Sequence, residues 1–161
     1  MIAGSLYIRW GGFINSRLAT RVRQKEGLSY TIGSQLFASP QDRVGRLSIF
    51  ANSAPQNVHK VEMAIHEELE RALRDGFTTE EVRAAKAGWL QSQQLSRAQD
   101  GELATRLANE LYIGRTLAWD AKLEDDIKAL NPDVIVTALR RHMDPARLTI
   151  IEAGDFAKSG P

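Results

Sequence analysis

Apolar positions along the chain follow two different periods. Leu28, Tyr30 and Ile32 alternate with Ser29, Thr31 and Gly33, and Leu47, Ile49 and Ala51 alternate with Ser48 and Phe50. A period of two predicts strands with one face on a core. Between the two runs, Ser39-Pro40-Gln41-Asp42 carries turn chemistry, so an antiparallel hairpin is the simplest connection. On this pattern alone Tyr30 shares a face with Leu28 and Ile32 and reads as a core tyrosine. Shorter runs at residues 5–10 and 148–153 predict a first and a last strand.

Elsewhere the period is helical. A first helix is expected over residues 16–25, with Leu18 and Val22 as its apolar arc and Arg17, Arg21 and Lys25 as a basic stripe. Arg23 falls on the far flank of the apolar arc, and Gly27 ends the helix. From residue 56, Val58, Val61, Ile65, Leu69 and Ala72 recur at three- and four-residue intervals until Asp75-Gly76. Thr78 and Glu81 form a capping box that opens the next helix, whose inner face is Val82, Ala85 and Trp89. Leu103, Leu107 and Leu111 mark a helix over 101–114, residues 118–130 a short one, and Asn131-Pro132 starts another that ends near Met143-Asp144-Pro145. Strand, helix, two strands, a block of helices and a strand is not the order of βαβ units. It predicts an α+β domain, a mostly antiparallel sheet with helices packed on one face. Residues 1–161 read as one domain with a frayed tail at 156–161, and the abrupt opening on a strand reads as a domain cut from a longer chain.

Composition removes several classes of function. A chain of 161 residues with 43% hydrophobic and 25% charged residues can bury a sizeable core. No cysteine is present, so disulfides, thiolate zinc sites and a cysteine nucleophile are excluded, while periplasm and cytoplasm both stay open. No window approaches the ~18 uninterrupted apolar residues of a membrane span. Residues 1–50 carry seven Lys/Arg against two Asp/Glu, and residues 51–161 carry fourteen against eighteen. The basic end is too weak for a nucleic-acid footprint, though it could attract an acidic partner or peptide.

The search for chemistry is mostly negative. His59, His66 and His142 are the three histidines. His66-Glu67-Glu68-Leu69-Glu70 matches neither H-E-x-x-H nor H-x-x-E-H, because Glu70 and Leu69 stand where the motifs need other residues. No G-x-S-x-G and no phosphate loop occur. The carboxylate pairs Glu67/Glu68, Glu80/Glu81 and Asp125/Asp126 read as solvated helix faces. No self-contained active site emerges.

One stretch carries more information. Gly11-Gly12-Phe13-Ile14-Asn15-Ser16-Arg17-Leu18, followed by Arg23-Gln24-Lys25-Glu26-Gly27-Leu28-Ser29-Tyr30, resembles the C-terminal half of the pitrilysin/insulinase family of zinc metallopeptidases. Gly76-Phe77-Thr78-Thr79-Glu80-Glu81-Val82 with Ala85-Lys86, Asn131-Pro132-Asp133-Val134, and the run from Met143 to Ile151 leading to Gly154-Asp155 extend the likeness in the same order. The resemblance implies an α/β-roll and a catalytic zinc, with its H-x-x-E-H helix, held in a different, N-terminal half. It implies no zinc ligand here and no activity for this chain alone. Its partners would be that catalytic half, in the same chain or a separate subunit, and a peptide substrate enclosed between the halves. It also implies that an Arg and a Tyr seven residues apart, here Arg23 and Tyr30, reach the substrate near the metal. The family includes inactive members that act as scaffolds or recognition subunits, which is the alternative reading. Residues 1–10 depart from the family pattern, with Trp10 where a small residue is common.

Overall fold

The computed structural model describes residues 17–39 and 42–155; the expected strand at 5–10, the Gly11-Gly12 turn, Pro40-Gln41 and the tail at 156–161 lie outside them. Helix α1 spans Ala19–Lys25, and strands β1 (Ser29–Ala38) and β2 (Gly45–Ser53) follow as an antiparallel hairpin. Five helices come next: α2 (Val58–Asp75), α3 (Thr79–Arg97), α4 (Asp100–Tyr112), α5 (Leu117–Ala129) and α6 (Pro132–His142). The architecture is α+β, as the order of periodic segments predicts.

Helix α2 is the spine. Its first half meets the hairpin and α1 in a cluster of Val22, Val61 and Ala64, with Leu28, Ile32, Ala51 and Ile65 packed around it. Its last turn contributes Ala72 to a second cluster with Phe77, Val82 and Ile135, which joins α2 to α3 and α6. Cross-strand pairing places Ile32 opposite Ala51, Ser34 opposite Ile49 and Leu36 opposite Leu47, so one face of the hairpin turns toward the helices. The other face carries Gly33 opposite Phe50, and the Phe50 ring lies over the glycine. A Cβ there would come 2.7 Å from Phe50 Cζ. Glycine is therefore the residue that lets the ring close over the strand.

Local signals fix the helix ends. Thr78 Oγ1 accepts from the Glu81 N–H at 3.1 Å and Glu81 Oε2 accepts from the Thr78 N–H at 2.8 Å, completing the capping box. Asn131 caps α6 through the Val134 N–H. Cations close helix C-termini: Lys86 Nζ donates to Lys128 O and Leu130 O at the end of α5, and Arg140 donates to Leu73 O and Arg74 O at the end of α2.

Three sequence expectations change, and one helix face turns to solvent. Residues 148–153 join neither strand, and Leu148, Ile150 and Ile151 are exposed. A strand needs a ladder partner, and these residues have none among the described residues. Leu107 and Leu111 of α4 are also exposed. Arg106 ties that helix down instead, with bonds of 2.8 Å to both oxygens of the buried Asp120 on α5 and 2.6 Å to Gln93 Oε1 on α3. Glu68 is buried rather than solvated, because it faces α1 beside Leu69 and lies 3.6 Å from Arg21 Nη1 and 3.7 Å from Arg71 Nη1. Finally, α1 is wound as a π-helix.

Candidate functional site

The stretch from α1 through Gly27 into β1 carries both residues singled out by the sequence. In α1 the Glu26 N–H reaches Arg21 O, five residues back, at 2.9 Å, one residue further than the bond of an α-helix. Leu18 and Val22 are fully buried beneath it. The chain reverses at Gly27, whose φ of 62° is the left-handed conformation that glycine adopts without penalty. The Leu28 N–H then bonds Val22 O at 2.9 Å and holds the start of β1 against the helix.

Two of the four cations in this stretch are committed to structure. Arg17 grips Glu81 with two bonds, Nε to Oε1 at 2.6 Å and Nη2 to Oε2 at 2.8 Å. It also donates to Gly76 O and lies over the Phe77 ring, 4.9 Å from its centroid. Arg21 binds Glu26 and Glu67 and approaches Glu68; its bonds to Glu26 and then Glu67 raise its already high pKa. The Arg17 hydrogen bonds hold the Glu81 carboxyl below the ordinary glutamate range, against a smaller opposing effect of burial. Arg23 and Lys25 point into solvent.

Tyr30 is the larger departure from pattern. Its side chain is 77% exposed, so it is not a core tyrosine. The cause is a β-bulge: Ser29 pairs with Ser53 and Thr31 pairs with Asn52, leaving Tyr30 as an extra residue without a cross-strand partner. The bulge flips the parity of the strand. Ser29 turns inward, at 4% exposure, while Tyr30 turns out and Ile32 still faces the core. Strict alternation hides this, and only the register of β2 reveals it.

Among the described residues neither Arg23 nor Tyr30 bonds to another side chain, so their donors are available. An arginine fork and a phenol can hold carbonyl, carboxylate or oxyanion oxygens. No nucleophile–base pair accompanies them. No group of three or more His, Asp or Glu among the described residues could hold a metal ion; His59 and His142 are exposed, and His59 lies 3.6 Å from Glu62 alone. The residues present do not fit a zinc site.

A family model described as the peptidase M16 inactive domain matches residues 10–88. This chain belongs to the pitrilysin-like M16 peptidase family and is similar to its inactive domain. The M16 domain is 31% identical over 141 residues to an uncharacterised zinc protease of Streptomyces coelicolor, covering 82% of this chain and 30% of that one. It is 28% identical over 122 residues to an uncharacterised zinc protease of Bacillus subtilis, covering 75% and 29%. It thus spans about 30% of the length of these curated relatives. A solved peptidase M16 inactive domain from Pseudomonas fluorescens superposes with a TM-score of 0.70 at 20% identity, over 88% of this chain and 33% of that one. The periplasmic protease PqqL of Escherichia coli gives 0.62 at 19% identity, over 80% and 14%. Both share the fold of the M16 domain. No described helix of the M16 domain is long and apolar enough to cross a membrane.

Proposed function

We propose that this chain is the substrate-binding domain of a zinc-dependent metallopeptidase whose catalytic zinc is held by another part of the assembly. The observation that carries the proposal is the outward turn of Tyr30 at the bulge, after a helix on which Arg23 is exposed. A tyrosine with an apolar ring gains by burial in a small core, so exposing one seven residues after an arginine with no partner among the described residues favours a binding role. Arg23 takes a peptide carbonyl with its fork, and the Tyr30 hydroxyl donates to the oxygen that gains negative charge as a peptide bond is attacked. Neither task requires a proton to leave the side chain.

Being the non-zinc domain of a peptidase that spans more sequence, the chain alone would bind peptide without cleaving it. The test is Tyr30→Phe in the full-length peptidase. Losing one donor to the developing oxyanion should lower kcat by roughly 10²-fold while KM changes little. Unchanged kcat and KM would remove Tyr30 from the mechanism. Absence of peptidase activity from the wild-type assembly, with the fold intact, would favour the inactive scaffold or recognition subunit instead.

A further inference from the structure

We infer that Ser29 is the positioning residue that holds Tyr30 outward, by fastening the bulge with its hydroxyl. The inference rests on the reading of Tyr30 as a substrate contact. Ser29 is one of the four buried polar or charged side chains among the described residues, and its Oγ makes three contacts across the irregularity. It accepts from the Thr31 N–H at 3.2 Å, and its one proton is shared between Thr31 O at 2.8 Å and Asn52 O at 2.6 Å. Thr31 and Asn52 are the cross-strand pair immediately after the bulge. The hydroxyl therefore joins the residue before Tyr30 to the residue after it and to the opposite strand.

A bulge interrupts the ladder and leaves backbone groups that need other partners. Here Ser29 Oγ supplies them, and a chain without that hydroxyl would leave the Thr31 N–H without this acceptor. The competing register is the regular alternation that places Leu28, Tyr30 and Ile32 on one face, which would bury the phenol against the cluster of Val22, Val61 and Ala64. Asn57 Nδ2 also donates to Leu28 O at 3.4 Å, anchoring the strand one residue upstream. Ser29 does not touch the peptide in this arrangement; it acts through Tyr30.

The test uses the reactivity of tyrosines toward tetranitromethane in the 161-residue chain, mapped by peptide mass spectrometry. Tyr112, 83% exposed, is the internal reference for Tyr30. In the wild type the two should nitrate at similar rates. Ser29→Ala should lower the outward-to-inward equilibrium constant of Tyr30 roughly fivefold, the change that loss of about one net hydrogen bond permits, and so lower the Tyr30-to-Tyr112 ratio. Ser29→Thr, which keeps the hydroxyl, should restore the ratio. An unchanged ratio in Ser29→Ala overturns the inference. So does full-rate hydrogen exchange of the Thr31 amide in the wild type, a measurement that needs no variant to fold. In the full-length peptidase Ser29→Ala should lower kcat in the same direction as Tyr30→Phe, by no more than about fivefold, with little change in KM. If Tyr30→Phe leaves turnover intact while Ser29→Ala still shields Tyr30 from nitration, the substrate role of Tyr30 fails and the fastening of the bulge stands.

Discussion

Replacing Arg17 by Met and Glu81 by Gln, singly and together, isolates the contact that fastens the start of α1 to the start of α3. The Arg17 side chain is 14% exposed and that of Glu81 is 26% exposed. Exposed ion pairs contribute about 0.2–1 kcal/mol, and breaking a fully buried pair costs about 3–5 kcal/mol. A half-buried, two-bond pair belongs between these limits, so a coupling of about 1.5 kcal/mol is expected. Arg17→Met loses more than the coupling, because its bond to Gly76 O and its contact with the Phe77 face also go; a total of about 2–3 kcal/mol follows. Glu81→Gln should cost about 1–2 kcal/mol, since glutamine can still reach back to the Thr78 N–H and keep the capping box. Urea unfolding at neutral pH, followed by circular dichroism, gives all four corners of the cycle. Single losses that merely add, to within about 0.3 kcal/mol, would refute the reasoning.

The same pair sets a pH dependence whose sign is fixed. Glu81 is held below its ordinary pKa in the folded chain, first by its hydrogen bonds to Arg17. Its contribution is complete above the unfolded-state value of about 4.3 and is lost as the pH falls through the lower folded-state value. The coupling should therefore be constant near neutrality and fade in acid, and Arg17→Met should flatten the acid limb. Arg17 itself, with a raised pKa, stays charged throughout and adds no slope.

Three further substitutions test the packing around the site. Gly27→Ala meets no neighbour within 4 Å, so its cost is the left-handed backbone alone, about 1 kcal/mol by thermal or urea unfolding. Gly33→Ala pushes on the Phe50 ring, which is half exposed and can swing away; a loss of about 1 kcal/mol is expected, and adding Phe50→Ala should remove the steric part. Arg106→Met strands the Asp120 carboxylate at 4% exposure and should cost about 3–5 kcal/mol, with Asp120→Asn in the same chain recovering part of it.

What could be read from the sequence depended on how local its cause was. The hairpin, the apolar face of α2, the Thr78–Glu81 box and the Asn131 cap each rest on residues within a few positions of one another, and all are present in the structure. Glu68 is buried where the sequence predicts a solvated face because Arg21, distant in sequence, joins its helix neighbour Arg71 beside it. Residues 148–153 look like a strand because they contain Leu148, Ile150 and Ile151, yet composition cannot supply a ladder partner. The leucines of α4 repeat at helical spacing but turn to solvent, since spacing defines a face without saying whether anything covers it.

Two departures from periodicity flank the proposed binding residues, and they share a physical form. The hydrogen bonds of helix α1 span one residue more than those of an α-helix, and β1 carries one residue more than its partner strand. Each insertion breaks the local ladder and costs stability that a regular element would keep. In a chain whose described sheet has two strands, such costs weigh heavily. They are offset by specific contacts: Arg21 with Glu26 and Glu67 over α1, and Ser29 with Thr31 and Asn52 at the bulge. A domain serving only as a scaffold would gain by shedding both irregularities and burying Tyr30 on the Leu28–Ile32 face. Keeping them, with Arg23 exposed on one side of Gly27 and Tyr30 exposed on the other, follows if the stretch has to present two hydrogen-bond donors to something outside this chain.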